Sequence, residues 1–116
     1  MTTPKTHTMR LQNRYFHYIK NGSKRIELRL YDDKRKQIQL NDIIEFSNEN
    51  NEKINTKVIA LLYYQTFNDL LTDFNIKILA DKSISKNDLL KDLNTFYSLA
   101  QQKQFGVLGI RIELMN

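Results

Sequence analysis

The chain has no cysteine and no tryptophan, and only one proline and three glycines among 116 residues. Without cysteine there is no disulfide, no thiolate nucleophile and no thiolate metal site. Two histidines, His7 and His17, with no H-E-x-x-H spacing, do not make a histidine-rich metal centre. Gly22, Gly106 and Gly109 fit neither nucleotide-binding glycine fingerprint, and no G-x-S-x-G elbow occurs. No apolar run approaches the roughly 20 residues needed to cross a bilayer, and the N-terminus lacks an apolar signal core. These absences point to a cytoplasmic protein with no metal and no cofactor. Nothing resembling a repeat or linker divides the sequence, so one domain is expected over residues 1–116, with its core at about 6–114.

What is present is positive charge. The formal net charge is +5, which favours a polyanionic partner, chiefly RNA or DNA. The charge is unevenly placed. Lys20, Lys24, Arg25, Arg29, Lys34, Arg35 and Lys36 crowd one segment, whereas Asp69, Asp73, Asp81, Asp88 and Asp92 follow later. Apolar residues make up 41%, enough for a single core.

The apolar spacing gives the elements. Residues 6–11 alternate as a first strand. Asn13 is placed to cap a helix with Tyr15, Phe16 and Ile19 on its apolar stripe, and Asn21-Gly22 ends it. Residues 24–31 form a second strand, followed by a charged loop at 32–36. Residues 42–47 and 53–64 read as strands joined by the turn SNENNE, and the second is long enough to need a bend or bulge. Thr66 and Ser85 have the spacing of helix caps. Phe67, Leu70, Leu71 and Phe74 supply one helical face; Leu89, Leu90, Leu93, Phe96, Tyr97 and Ala100 supply another, read as core. Residues 75–84 carry no clear pattern. Residues 107–114 form the last strand.

The second strand carries the candidate chemistry. Alternation places Arg25, Glu27, Arg29 and Tyr31 on one face and Ile26, Leu28 and Leu30 on the other. Glu27 stands roughly 6–7 Å from each arginine along the strand, close enough to hold a guanidinium while leaving N–H groups for a ligand. Lys24 can reach a phosphate, and Tyr31 can stack on a base. Lys34, Arg35 and Lys36 add salt-sensitive attraction to a polyanion, although a loop of like charges is also a common solvated surface. The same face suits either compensated charges facing water or a cleft that grips a polar ligand. Tyr63 and Tyr64 point to opposite faces, so one belongs to the core and the other can reach the surface.

Taken in order, the segments resemble the activating-signal-cointegrator homology (ASCH) family, a branch of the PUA-like folds, from about His7 to Leu114. The resemblance rests on His7-Thr8-Met9-Arg10-Leu11, on Phe16 and Ile19, and on Asn21-Gly22-Ser23-Lys24-Arg25-Ile26-Glu27-Leu28-Arg29, which is similar to the family's G-x-K-x-x-E-x-R strand. It extends to Asn41-Asp42-Ile43-Ile44-Glu45-Phe46, with Asn41 where glycine is usual, and to Phe105-Gly106-Val107-Leu108-Gly109-Ile110. The resemblance implies an α+β fold, a small mixed β-barrel with flanking helices, and a cleft lined at Lys24, Glu27 and Arg29. It also implies RNA or a nucleotide as partner; the exposed aromatic residues leave a protein partner as a further option. Some relatives are enzymes. One group hydrolyses the acetyl amide of an acetylated cytidine with a lysine, a threonine three residues later and a glutamate further along; others are ribonucleases. Lys24 matches that lysine, Glu27 stands at the threonine position, and no glutamate falls near Asp81-Lys82-Ser83. The alternative expectation is therefore a metal-independent amidohydrolase or ribonuclease with a Lys24/Glu27 acid–base pair.

Overall fold

The computed structural model describes residues 3–115; residues 1, 2 and 116 lie outside it. Five strands, β1 (Thr6–Arg10), β2 (Ile26–Leu30), β3 (Ile43–Ser47), β4 (Lys53–Tyr64) and β5 (Val107–Leu114), form one sheet in the order β1-β3-β4-β5-β2. β1 runs parallel to β3, and the other three pairings are antiparallel. β1 and β2 are the two free edges, so the curled sheet is a half-barrel rather than a closed one. α1 (Asn13–Lys20) connects β1 to β2, while α2 (Phe67–Asp73), α3 (Ile76–Leu79), α4 (Lys86–Phe96) and α5 (Leu99–Phe105) lie between β4 and β5. The architecture is α+β, as the resemblance implied.

Both sheet faces are covered, which explains the nearly continuous apolar run of β5. Leu108, Ile110 and Ile112 pack with Met9, Phe16, Ile19, Ile44, Phe46 and Val58 on the α1 face. Val107 joins Ile26, Leu28 and Leu30 on the opposite face, against Phe67, Leu70, Leu79, Leu89 and Leu93 from α2, α3 and α4. β4 keeps its length by a register shift between Val58 and Ala60, the irregularity its sequence called for.

Local hydrogen bonds set the helix starts. The Thr66 hydroxyl accepts the Asp69 N–H at 3.2 Å, and Ser85 accepts that of Asp88 at 3.0 Å. The apolar stripe running from Leu89 to Ala100 is not one helix. It breaks at Tyr97, because Ser98 and Gln101 form a reciprocal capping box that starts α5. Gln102 is buried in this corner: its amide donates to Asn94 Oδ1 and Tyr97 O, and its carbonyl accepts the Phe67 N–H at the start of α2. Asn13 is the first residue of α1 rather than its cap, and accepts instead from Asn48. Asn48 is fully buried and accepts the N–H groups of Asn50 and Glu52, so the SNENNE turn is built around one carboxamide.

Gly109 permits the close approach of α2. A Cβ at this position would stand 3.1 Å from Leu70 Cδ1 and 3.3 Å from Ile26 Cγ2, both fully buried side chains. Gly109→Val is therefore expected to destabilise the fold by about 1–3 kcal/mol through overpacking, measured as a lowered midpoint in urea unfolding. An unchanged midpoint would mean that α2 shifts freely on the sheet.

Candidate functional site

The ionic residues come together at the β2 edge because three local features fix them. Gly22 takes a left-handed φ of +86° and turns the chain out of α1. The Lys24 N–H then donates to Tyr18 O and the Arg25 N–H to Ile78 O, which ties the turn to both α1 and α3. From there β2 aims Glu27 and Arg29 away from the Ile26, Leu28 and Leu30 core face.

Lys24 is only 3% exposed and Glu27 only 4%. The Lys24 ammonium donates to Ile26 O at 2.7 Å and Leu79 O at 2.8 Å, and stands 3.5 Å from Glu27 Oε1. Three acceptors thus meet its three protons. Glu27 Oε1 accepts the Leu28 N–H at 3.0 Å, and Oε2 accepts Arg29 Nε at 3.0 Å and Nη2 at 2.9 Å. Arg29 Nη2 also donates to Arg10 O at 3.0 Å. That bond joins β2 to β1 across the open side of the half-barrel.

Burial lowers the Lys24 pKa, with Glu27 opposing the shift. Burial by itself pushes the Glu27 carboxyl up; the charges of Arg29 and Lys24, with the Leu28 N–H, outweigh it and hold the carboxyl below its ordinary range. Arg29 is correspondingly raised: desolvation disfavours its charge, but Glu27 overrides it.

This row lines one side of a cleft of about 190 Å³. The opposite wall comes from α4 and the residues after it, with Leu89, Asp92, Leu93, Phe96 and Tyr97; the β1–α1 connection adds Arg10, Leu11 and Gln12, and α1 adds Tyr15. The Tyr15 hydroxyl donates to Asp92 Oδ2 at 2.5 Å, and burial together with this bond raises its pKa, so it remains a phenol. The volume lies below the roughly 300–1,000 Å³ of sites for drug-sized ligands. It suits one ring-sized group with polar edges, held between aromatic side chains and an ionic row. Arg10, Lys24 and Arg29 against Glu27 and Asp92 leave one positive charge in excess.

The other candidates lie elsewhere. Arg25 precedes β2; its side chain is exposed and borders a separate depression with Ile59 and Arg111. Tyr31 packs edge to face on Tyr63, beside the Lys36 ammonium. Lys34 and Lys36 are exposed, and Arg35 pairs with Asp32 at 3.1 Å. Asp81 accepts from Ser23 and Ser83 outside the cleft. His7 pairs with Asp42 at 2.8 Å, away from the cleft. Among the described residues no cluster of three or more His, Asp or Glu is placed to hold a metal, and no helix is long and apolar enough to cross a membrane. Sequence reasoning missed Arg10, Tyr15, Asp92, Phe96 and Tyr97 as cleft residues. Phe96 and Tyr97 were absorbed into a core stripe, and the Ser98-x-x-Gln101 spacing was the available signal that the helix ended beside them.

The chain covers residues matched by the ASCH domain family from 9 to 116. It is similar to the crystal structure of hypothetical protein PH0355, with 35% identity, a TM-score of 0.84 and coverage of 95% of this chain and 99% of that one. It is similar to the solution structure of protein PF0455 from Pyrococcus furiosus, with 31% identity, a TM-score of 0.75 and coverage of 96% and 98%. The fold is also shared with a mutant of ZmASCH from Zymomonas mobilis, at 13% identity and a TM-score of 0.66, covering 97% of this chain and 74% of that one. No curated protein matches. By its sequence and its half-barrel, the chain belongs to the ASCH domain family.

Proposed function

We propose that the protein binds RNA or a modified nucleotide in the cytoplasm, with a base in the cleft and flanking phosphates outside it. The observation that carries this reading is the pre-set row Lys24–Glu27–Arg29 facing the aromatic side chains of Phe96 and Tyr97. A base offers a flat apolar face and polar edges, which match such walls. The guanidinium of Arg29 is already oriented by Glu27, so little freedom is lost on binding. Arg10 is exposed and lines the same opening, in position to meet a phosphate. Membership of a family with an RNA-binding kind of fold and the +5 charge support the same partner.

The alternative, a hydrolase of a nucleoside amide or RNA phosphodiester with a Lys24/Glu27 acid–base pair, sits less well with the geometry. A general base needs a carboxylate with affinity for a proton and a free oxygen. Glu27 is held low, and both its oxygens already accept hydrogen bonds. Lys24 spends its protons on two carbonyls and on Glu27. The row is suited to holding shape rather than to moving a proton.

Titration of a dye-labelled single-stranded RNA at two salt concentrations tests the binding reading. Affinity is expected to fall with salt, with a log–log slope of about −0.7 for each phosphate contacted. Arg10→Ala should reduce both the affinity and that slope without lowering thermal stability, since the side chain is exposed and the backbone carbonyl that Arg29 uses is kept. Absence of binding at low salt, or an Arg10→Ala variant with unchanged affinity, would sink the proposal. Turnover of an acetylated nucleoside or of the RNA during the titration would favour the hydrolase instead.

Acid should undo the same site. The folded-state pKa of Glu27 is depressed, so its contribution is present above the ordinary carboxylate range and lost as pH falls through the folded value. The Lys24 shift runs the other way at high pH: folding disfavours its charge, and that penalty is relieved as pH rises past its folded value. Glu27→Gln leaves two cations without their shared carboxylate and should cost about 3–5 kcal/mol, while flattening the acid limb of a stability-against-pH profile. A variant with the parent's acid limb would show that Glu27 is not the titrating group.

A further inference from the structure

Tyr31 and Tyr63 have no part in the cleft, yet they lie next to it. Their rings meet edge to face, with centroids 5.1 Å apart and planes at 75°. Tyr63 is 58% exposed, and the Lys36 ammonium stands 5.5 Å from the centre of the Tyr31 ring. The strand register places this pair. Arg29 is opposite Leu108 on β5, and Leu108 is opposite Tyr63 on β4. The three side chains therefore share one face of the sheet, and Tyr63 lies about 10 Å from Arg29, two strand spacings away. Tyr31 follows Arg29 by two residues. Isolated exposed aromatics are ordinary on protein surfaces. This one is held in orientation by a second ring, which itself has a cation over it, and it sits within one nucleotide's reach of an ionic cleft.

We propose that Tyr63, buttressed by Tyr31, is a stacking platform for the base that neighbours the one in the cleft. The ligand is then a single strand of at least two nucleotides rather than a free nucleotide or a duplex. This rests on the RNA reading of the cleft and deepens it. Base–aromatic stacking tolerates any base, because every base has a π-face. Lys36 and Lys34, both exposed, meet the intervening backbone; within residues 32–36, Asp32 is taken by Arg35, leaving Asp33 as the other carboxylate. In a duplex the bases stack on each other and present no face to Tyr63.

Three dye-labelled probes of one sequence test the platform: an adenosine mononucleotide, a single-stranded hexa-adenylate and the same strand in a duplex. The hexanucleotide should bind more tightly than the mononucleotide or duplex. Tyr63→Ala should weaken the hexanucleotide about 5-fold to 150-fold, the range seen for lost base stacking, and leave the mononucleotide unchanged. Tyr63→Phe should bind as the parent does. Because the chain has no tryptophan, tyrosine emission reports the contact directly, and the quenching by hexanucleotide should shrink in Tyr63→Ala. If Arg10→Ala weakens the hexanucleotide while Tyr63→Ala does not, the cleft reading stands and the platform falls. If the parent binds none of the probes, the cleft reading falls and the platform with it. Tyr63 is exposed, so the substitution is not expected to unfold the chain, and thermal unfolding checks this.

Discussion

The half-barrel is open between β1 and β2, and Arg29, held by its ion pair with Glu27, reaches across that opening. Glu27 holds the guanidinium through two hydrogen bonds, and the same guanidinium reaches the Arg10 carbonyl on the other edge. An open sheet edge exposes unpaired backbone groups and invites non-native pairing. Here one of those groups is occupied by a charged side chain, whose position is fixed from behind by a buried carboxylate. Burying that carboxylate is costly unless it is paired and hydrogen-bonded. Lys24, Arg29 and the Leu28 N–H meet that condition, and Lys24 is satisfied in turn by the carbonyls of Ile26 and Leu79. A chain of dependence runs from the turn at Gly22 to the far edge of the sheet.

The same restraint gives the site its character. A row of charges at the foot of a cleft must not swing to meet each other when a ligand enters, and these charges are already committed to fixed partners. In the proposed binding mode, recognition falls to the parts still available: the cleft-facing side of Arg29, the Arg10 side chain, and the aromatic wall of α4. Tyr15 and Asp92 form a second fixed pair across the opening, so the cleft has polar groups on two sides with apolar surface between. That is the arrangement expected of a site that selects an orientation.

Much of the fold was legible in the residues. The alternation of β2, the turn at Asn21-Gly22, the caps at Thr66 and Ser85 and the irregular length of β4 are local signals, and each appears where local physics placed it. Three of the misses share one cause. Asn13, Asn48 and Gln102 are polar side chains whose partners lie far along the chain or across a corner, and sequence spacing carries no record of such partners. Residues 75–84 carry no helical period because α3 is one short turn: the Asn75 side chain caps it, and Ile76, Ile78 and Leu79 pack on the core without the length to repeat. In the candidate site, Glu27 and Arg29 follow from the alternation of the strand and Lys24 from the family resemblance, but the alternation that joined Arg25 to them stops at the start of the strand.

By itself the sequence determined the periodic elements, the family, and the clustering of cations before residue 37, because these follow from side-chain spacing along one stretch of chain. Only the tertiary structure decided which charges face each other. It buried Lys24 and Glu27, left Arg25, Lys34 and Lys36 in solvent, and brought Tyr97 and Asp92 to a strand some seventy residues earlier. The reason is that charge acts through distance and desolvation, and both are set by how β2, α1 and α4 pack together rather than by the order of residues within any one of them.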